Sequence, residues 1–293
     1  MNCDNNTPLQ YDEEKNKVNK GTLYLVATPI GNLSDLSPRA LKILSEVDFI
    51  AAEDTRNSVK LLTHFGIQKP LVSYFQHNIR ERGEQITQRL INGESCALIT
   101  DAGTPAISDP GADIVVLCND KNIPVSSIPG ACACIVALTL SALPTGRFTF
   151  EGFLSTNHNE RTKHLESLIS EKRTMVFHEA PHKLKTTLSD ICEYFGRDRQ
   201  IAICRELTKI NEEVMHFSLG DAIEYYKTTD PRGEYVLVLA GNDKSEDDAF
   251  WINMSITEHV DHYISLGLTK MDAIKAVAKD RDIAKNTIYK EYL

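Results

Sequence analysis

The sequence predicts an α/β fold: two α/β domains with a cleft between them, followed by a small C-terminal helical segment. Short apolar runs alternate regularly with amphipathic helical segments over residues 20–146, which indicates a parallel sheet with helices on both faces. Strand-like runs are more frequent over residues 147–242, which favours a mixed sheet. Residues 250–293 carry helical patterns alone and have the length of a helix-turn-helix-like appendage of two or three helices.

The first domain contains predicted strands that each end in a polar or Gly/Pro-rich loop. These strands are 21–27, 47–52, 71–74, 96–100 and 125–128. Helices are predicted between them at 39–46, 58–65, 80–92 and 113–120, and an apolar helix then runs to Leu140. Ser37 and Pro38 match an N-cap and a first helical residue, and Gly66 matches a helix C-terminal position.

The second domain has a denser run of predicted strands. These strands are 148–153, 174–178, 200–205, 213–217 and 233–241, with helices at 160–170, 181–195 and 219–226. Pro181 is expected at the first position of its helix. Residues 1–19 are polar and lack periodicity, so we expect a flexible tail there, and residues 242–248 read as an acidic linker.

The stretch from Cys96 to Gly111 organises the first domain. A buried strand breaks into Asp101, Gly103 and Pro105, and the chain breaks again at Asp109. Open α/β sheets bind ligands at the carboxyl ends of their strands, so this double break favours a binding loop over an ordinary connection. Several other Gly/Pro loops end strands of the same sheet. Together they predict a cleft between the domains that binds a ligand, such as a nucleoside, through backbone N–H and C=O groups.

Composition limits the possible functions. The net charge of −9 argues against a protein that coats nucleic acid through a broad basic face, although a local basic patch is compatible with it. Seven cysteines scattered through apolar segments indicate reduced thiols, and with no secretory signal or membrane helix this predicts a cytoplasmic protein.

Two patterns that suggest metal binding lack the required context. His178 to His182 spells H-E-x-x-H, but the first histidine ends a predicted strand and Pro181 would break a helix already under way, so the two histidines would lie on different elements. Cys132 and Cys134 have no second ligand pair at metal spacing and are expected to be core thiols. We therefore predict no metal site. The sequence also contains no dinucleotide-binding or P-loop glycine motif.

Five motifs stand in the order in which they occur in a known family. They are residues 27–33, 53–56, 101–105 with 108–111, 129–131 and 179–182. On these motifs the chain resembles the bacterial 16S ribosomal RNA ribose 2′-O-methyltransferases of the tetrapyrrole-methylase superfamily, over residues 21–241 and into the C-terminal helices. Lys183 departs from the pattern, because an arginine is more usual after His182. The charge is kept, but bidentate recognition by a guanidinium is not.

The resemblance implies a class III methyltransferase fold and a homodimer with S-adenosylmethionine in the cleft. It also implies methylation of the ribose of a decoding-centre cytidine in the 16S rRNA of the small ribosomal subunit. The expected cofactor-binding residues are Pro29, Gly31, Asp101, Ala102, Gly103, Thr104, Asp109, Pro129, Gly130 and Ala131. The carbonyl dipoles and carboxylates of the loop at Asp101 would favour the cofactor's cation.

The ribose hydroxyl is a poor nucleophile until its proton is accepted, and Glu179 or Glu206 is predicted to accept it. For each glutamate the alternative is a structural role, for example an ion pair with Arg205. The residues expected to contact RNA phosphate or sugar are Arg56, Arg80, Arg82, Lys183 and Arg205, and their alternative is a solvated surface charge.

Two other functions are compatible with the sequence. The same cofactor site would serve an enzyme that methylates a tetrapyrrole or another small molecule. A non-catalytic nucleic-acid-binding regulator led by the terminal helices is a second alternative. Such a regulator would leave the loop at Asp101 without a task, and the negative net charge counts against it.

Overall fold

The computed structural model describes residues 17–109, 111–242, 251, 254–281 and 283–292. Most of the predicted tail and of the acidic linker, residues 1–16 and 243–248, lies outside the described residues. The chain divides into two compact units, Met1–Gly241 and Asn242–Leu293.

The first sheet is entirely parallel, as predicted. Its strands are β1 (Leu23–Val26), β2 (Phe49–Ala52), β3 (Leu71–Ser73), β4 (Cys96–Ile99) and β5 (Val125–Ile128). They lie in the order β3-β2-β4-β1-β5, which places β4 at the centre. Alternate residues of β4 enter different cores: Ala97 and Ile99 pack on one face, and Cys96 and Leu98 on the other.

Helices cover both faces of this sheet and begin and end close to the predicted positions. They are α1 (Pro38–Glu46), α2 (Thr55–His64), α3 (Ile79–Ile91), α4 (Gly111–Asp120) and α5 (Ala133–Leu140). The Ser37 hydroxyl caps α1 by accepting a hydrogen bond from the Ala40 N–H at 3.1 Å. Gly66 follows α2 with a φ of +68°, a conformation that favours glycine over residues with a Cβ.

The second sheet is mixed, also as predicted. Its strands are β6 (Phe148–Phe153), β7 (Thr174–Glu179), β8 (Gln200–Arg205), β9 (Glu213–Ser218) and β10 (Tyr235–Leu239), in the order β6-β7-β10-β8-β9. The β6–β7 pair is parallel, and the other pairs are antiparallel. The helices are α6 (His158–Ser167), α7 (Leu184–Phe195) and α8 (Leu219–Thr228). Helices α7 and α8 pack on one face of the sheet, and α5 packs on the other.

The predicted start of α7 at Pro181 is wrong. The strand β7 continues to Glu179, and the helix begins at Leu184. The residues between them form a turn in which the Lys183 N–H donates to the Ala180 carbonyl at 3.0 Å. Pro181 therefore stiffens a turn at the end of a strand and does not open a helix.

The C-terminal unit consists, in its described part, of α9 (Ile256–Ser265), α10 (Lys270–Asp280) and α11 (Lys285–Tyr292). Residues of all three helices enclose its small apolar core: Ile256, Val260, Ala273, Ile274, Val277 and Ile288. The side chains of Ser255 and Glu258 form a capping box that starts α9. Across the described parts of both units, the helices are too short or too polar to cross a lipid bilayer.

Candidate functional site

A cavity of about 530 Å³ lies where the carboxyl ends of β1, β4, β6 and β7 approach one another. The first sheet contributes Ile30, Ala102, Gly103, Thr104, Ile107, Cys132 and Ala133 from the loops that follow its strands and from the start of α5. The second sheet contributes Phe153, His178, Glu179, Ala180, Pro181, His182, Cys204, Leu207, Glu234, Tyr235 and Val236. This volume is in the range of pockets that hold small ligands and cofactors. The predicted cleft between the two sheets is therefore present.

Reciprocal backbone hydrogen bonds hold the loop after β1 against the loop after β4. The Thr28 N–H donates to the Gly103 carbonyl at 2.9 Å, and the Gly103 N–H donates back to the Thr28 carbonyl at 3.1 Å. The Thr104 hydroxyl donates to the Ala131 carbonyl at 2.9 Å and ties in the loop before α5. The first sheet thus presents a preorganised backbone surface to the cavity.

Two glycines allow these loops to approach closely. Gly103 has a φ of +87°, and a Cβ placed on it would lie 3.3 Å from Cγ2 of Ile30. A Cβ on Gly130 would lie only 2.7 Å from Cβ of Ala27, so this position admits no larger residue without a shift. Both glycines belong to the predicted cofactor-binding set.

The structure separates that set into three groups. Ala102, Gly103 and Thr104 line the cavity directly. Pro29 and Gly31 flank the lining residue Ile30, and Pro129, Gly130 and Ala131 are the three residues before the lining residue Cys132. Asp101 and Asp109 are not lining residues of the cavity.

The two aspartates instead organise the loop. The exposed Asp101 carboxylate accepts from the Asn57 side-chain amide at 3.2 Å. Asp109 accepts from the backbone N–H groups of Ala106 at 2.9 Å and Gly111 at 2.6 Å. These bonds hold a segment in which Ala106 and Ser108 have positive φ values of 68° and 64°, a conformation that costs energy for residues with a Cβ.

Glu179 lines the cavity, but its buried carboxylate is held by other groups. One oxygen accepts from the Ala180 N–H at 2.7 Å, and the other accepts from the Thr187 hydroxyl at 2.5 Å. Thr187 lies on α7, and Phe177, two residues before Glu179 on β7, packs in the core beneath that helix. The carboxylate therefore ties the end of β7 to α7.

Glu206 is also engaged in the folded chain. Its carboxylate accepts from the Lys209 ammonium at 2.8 Å and from the Glu234 N–H at 2.9 Å. The hydrogen bond from Lys209 lowers the pKa of the Glu206 carboxyl. Arg205 pairs with Glu213 at 2.9 Å and not with Glu179 or Glu206.

His178 is a cavity residue that sequence reasoning treated only as half of an unsuitable zinc motif. It lies on the same face of β7 as Val176, which packs against α5. The rings of Phe150 and Phe153 meet its imidazole edge-to-face, with centroids 5.0 and 5.4 Å away. Its Nε2 atom is buried without a hydrogen-bond partner, and burial lowers the pKa of the imidazole. Strand alternation could have placed His178 on this face once the face of Val176 was known.

The H-E-x-x-H histidines lie on different elements, as expected. His178 is in β7, whereas His182 is exposed in the following turn. Within the described residues, no group of three His, Cys, Asp or Glu side chains is arranged to hold a metal ion.

Cys132 is the other distinctive side chain of the cavity wall. It occupies the N-cap position of α5, and its Sγ lies 3.4 Å from Sγ of Cys134. The contact between the thiols lowers the pKa of Cys132 and raises that of Cys134. The expectation that both are core thiols holds for Cys134, which is buried, while Cys132 borders the cavity.

Three of the predicted RNA-contacting residues lie at the edge of the first sheet that carries the cavity. Arg56 is in the first turn of α2, and Arg80 and Arg82 are in the first turn of α3. Arg56 is exposed and pairs with Asp54 at 2.7 Å, and its hydrogen bonds lower the pKa of that carboxyl to about 2. Lys183 precedes α7 beside the cavity. Arg205 is the last residue of β8, so all five predicted cations lie on the side of the sheets where strands end at the cavity.

Comparisons with known proteins agree on a family. Residues 22–223 match the family described as Tetrapyrrole (Corrin/Porphyrin) Methylases. A protein called Ribosomal RNA small subunit methyltransferase I from Halalkalibacterium halodurans is 47% identical over 93% of this chain and 95% of its own length. A protein of the same name from a Synechocystis species is 44% identical over 92% of this chain and 96% of its own length. One from Bacillus subtilis is 44% identical over 94% of this chain and 95% of its own length.

Solved structures show the same fold at low sequence identity. A uroporphyrin-III-C-methyltransferase from Thermus thermophilus has a TM-score of 0.54 at 18% identity, over 75% of this chain and 94% of that one. A structure of uroporphyrin-III C-methyltransferase from the same organism, complexed with S-adenyl homocysteine, has a TM-score of 0.53 at 16% identity. The match covers 75% of this chain and 97% of that one. A cobalt precorrin-4 methyltransferase has a TM-score of 0.58 at 14% identity, over 75% of this chain and 95% of that one. The predicted fold class is confirmed.

Proposed function

This chain belongs to the tetrapyrrole methylase family and, within it, to the small-subunit ribosomal RNA methyltransferases I, and from that premise we propose its reaction. It transfers a methyl group from S-adenosylmethionine to the 2′-hydroxyl of a cytidine ribose in the decoding centre of 16S rRNA. The observation that carries the proposal is the similarity over nearly the full length of both chains, 93% and 95%. The cleft formed by the Gly/Pro loops supplies a site for such a reaction.

The cavity suits S-adenosylmethionine in size and in the character of its walls. Its volume of about 530 Å³ accommodates a nucleoside-sized ligand. The backbone of residues 102–104, locked to β1, offers N–H and C=O groups, and the glycine at 103 leaves room that a Cβ would reduce. We propose that this segment, with residues 29–31 and 129–131, holds the cofactor. Asp101 and Asp109 then act by shaping the loop.

When bound, S-adenosylmethionine supplies a methyl carbon made electrophilic by a cationic sulfur. Carbonyl dipoles of the strand-end loops favour that cation. The chain's main contribution is to hold the ribose oxygen in line with the methyl carbon, since positioning supplies most of the rate in such a displacement. The hydrogen bonds of Glu179 and Glu206 favour structural roles for both carboxylates, so another group in the cleft accepts the ribose proton.

RNA contacts are proposed at the edge of the first sheet, through Arg56, Arg80 and Arg82, and at Lys183 beside the cavity. A few guanidinium groups at one edge are sufficient to bind phosphates locally, even with a net charge of −9 on the whole chain. Arg205 is the fifth proposed contact; like Arg56, which pairs with Asp54, it already pairs with a carboxylate, that of Glu213 at 2.9 Å.

A homodimer and a cytoplasmic location complete the proposal. Helix α5 exposes Ile135 at 43% and Leu140 at 40%, and the edge strand β5 exposes Val125 at 37%. Apolar side chains on an edge strand and a neighbouring helix are suited to burial against a second copy of the chain. The described cysteines are free thiols, as expected in a reducing compartment.

The test incubates the protein and radiolabelled S-adenosylmethionine with unmethylated small ribosomal subunits, and separately with naked 16S rRNA. We expect label in the ribose of a single decoding-centre cytidine. A stronger signal with assembled subunits would show how an acidic protein selects its RNA. Absence of label in both, with cofactor binding intact, would refute the ribosomal assignment and redirect the search to small-molecule acceptors.

A further inference from the structure

We propose that the His178 imidazole accepts the proton of the attacking ribose hydroxyl. The proposal rests on the proposed function, because it assigns a residue to that reaction. It starts from one feature of the cavity wall, a buried ring nitrogen for which the fold provides no hydrogen-bond partner. Buried polar atoms are almost always paired in folded proteins, and an unpaired one at a ligand cavity indicates a role with the ligand.

The other ionisable side chains of the cavity wall are engaged or lie at its rim, including Tyr235, whose hydroxyl accepts from the Arg232 N–H at 3.2 Å. Glu179 bonds to Ala180 and Thr187, and Glu234 bonds to Lys209. The thiols of Cys132 and Cys204 contact Cys134 and the Ala137 carbonyl, and His182 is exposed in a turn. Of the two carboxylates predicted as proton acceptors, Glu179 is directed toward α7 and Glu206 is bound to an ammonium. His178 is therefore the partly buried base of this wall with an unused nitrogen.

The surroundings of His178 hold the ring still and keep it neutral. From β6, the aromatic rings of Phe150 and Phe153 pack edge-to-face against it and offer no conventional hydrogen-bond acceptor. The charge that acts on it is that of Glu234, the residue before β10, whose carboxylate raises the pKa of the imidazole less than burial lowers it. The ionisable group from the first sheet in the same wall is the Cys132 thiol. A neutral imidazole at physiological pH is ready to receive a proton.

The step balances with the groups already named. The ribose oxygen bonds to the methyl carbon while the carbon–sulfur bond breaks and its electron pair stays on sulfur. The hydroxyl proton passes to Nε2 of the His178 imidazole, the ring nitrogen that the fold leaves without a partner at the cavity wall. The carboxylate of Glu234, the residue before β10, then stabilises the imidazolium.

The experiment compares His178→Gln with the wild type, using His158→Gln on the exposed start of α6 as the matched control. Single-turnover methyl transfer to small subunits is measured across pH, and binding of S-adenosylhomocysteine is measured by calorimetry. We expect His178→Gln to lose about 10²- to 10⁴-fold in rate with an unchanged Kd, the size of a general-base contribution. The wild-type rate should fall below a pKa lower than about 6.5 and be level above it, and His178→Gln should lack this acid limb. His158→Gln should match the wild type.

An independent readout does not need turnover. NMR titration of the His178 Cε1 resonance should give a pKa below the ordinary histidine value, and Glu234→Gln should lower it further, because a negative charge is removed. A His178→Gln enzyme that keeps the wild-type rate, or that loses S-adenosylhomocysteine binding in proportion to its rate, would overturn the proposal. If the wild type transfers no methyl group to subunits, the proposed function fails. The inference depends on that function and fails with it, whereas methyl transfer that His178→Gln retains at the wild-type rate overturns the inference alone.

Discussion

Gly103 occupies the point where the loops after β1 and β4 meet beside the cavity. Replacing it with alanine imposes two costs. A residue with a Cβ pays about 1–2 kcal/mol for left-handed backbone such as the φ of +87° found here. The new Cβ would also lie 3.3 Å from Ile30 Cγ2 and 3.6 Å from the Ala131 carbonyl, so one of the loops must give way.

The structure bounds the size of the effect. Two backbone hydrogen bonds join Gly103 to Thr28, and each contributes about 1 kcal/mol. The free energy of unfolding of Gly103→Ala should therefore fall by about 1–2 kcal/mol if the loop adjusts, and by about 3–4 kcal/mol if both backbone bonds are lost as well. Gly93→Ala is the matched control, because Gly93 has a φ of +93° with nothing within 4 Å of the added Cβ. Gly93→Ala should be destabilised only by the unfavourable backbone conformation, about 1–2 kcal/mol.

Urea denaturation and calorimetric titration with S-adenosylhomocysteine measure the two consequences. We expect Gly103→Ala to bind at least about tenfold more weakly, equivalent to about 1.4 kcal/mol, because its shifted loop no longer presents the same backbone groups. Gly93→Ala should bind as the wild type does. If Gly103→Ala keeps the wild-type Kd and unfolds like Gly93→Ala, the backbone at Gly103 does not shape the cofactor site and the reasoning is refuted.

Three further predictions concern the neighbouring charges. Thr187→Val should lower the free energy of unfolding by about 1–3 kcal/mol, because the buried Glu179 carboxylate loses a hydrogen-bond donor. The methyl-transfer rate should stay unchanged. A fall in rate at unchanged stability would instead give Glu179 a chemical role. Lys209 lowers the pKa of the Glu206 carboxyl below 4.5 in the folded protein. The stability that this ion pair contributes is therefore present above pH 4.5 and is lost as the pH falls through the pKa of Glu206 in the folded state. The deficit of Lys209→Met in urea should accordingly be largest at neutral pH and shrink in acid, and a deficit that is constant with pH would contradict this. Arg80→Glu should weaken binding to small subunits most at low salt, with the Kd for S-adenosylhomocysteine unchanged; salt-independent weakening would speak against a phosphate contact.

Local signals in the sequence were sufficient for most of the elements. Ser37 followed by Pro38 placed the start of α1, because a side-chain cap and a fixed φ act within a few residues. The same reasoning failed at Pro181, where a proline that suits a first helical position instead stiffens a turn after β7. Which of these roles a proline takes depends on where the preceding strand ends. Here β7 continues to Glu179 by pairing with β10, a strand more than fifty residues away in the chain.

The sequence alone determined the family, the α/β architecture with a parallel and a mixed sheet, and the loops that border the cleft, because these follow from apolar periodicity, from turn chemistry and from motifs read in order. The directions of individual side chains were decided only by the tertiary structure. Glu179 and His178 are adjacent in the chain and both line the cavity, yet the Glu179 carboxylate bonds to Thr187 on α7 and the His178 imidazole packs against Phe150 and Phe153. Adjacent residues of a strand point to opposite faces, and which face meets the ligand is set by the distant helices that pack on each side.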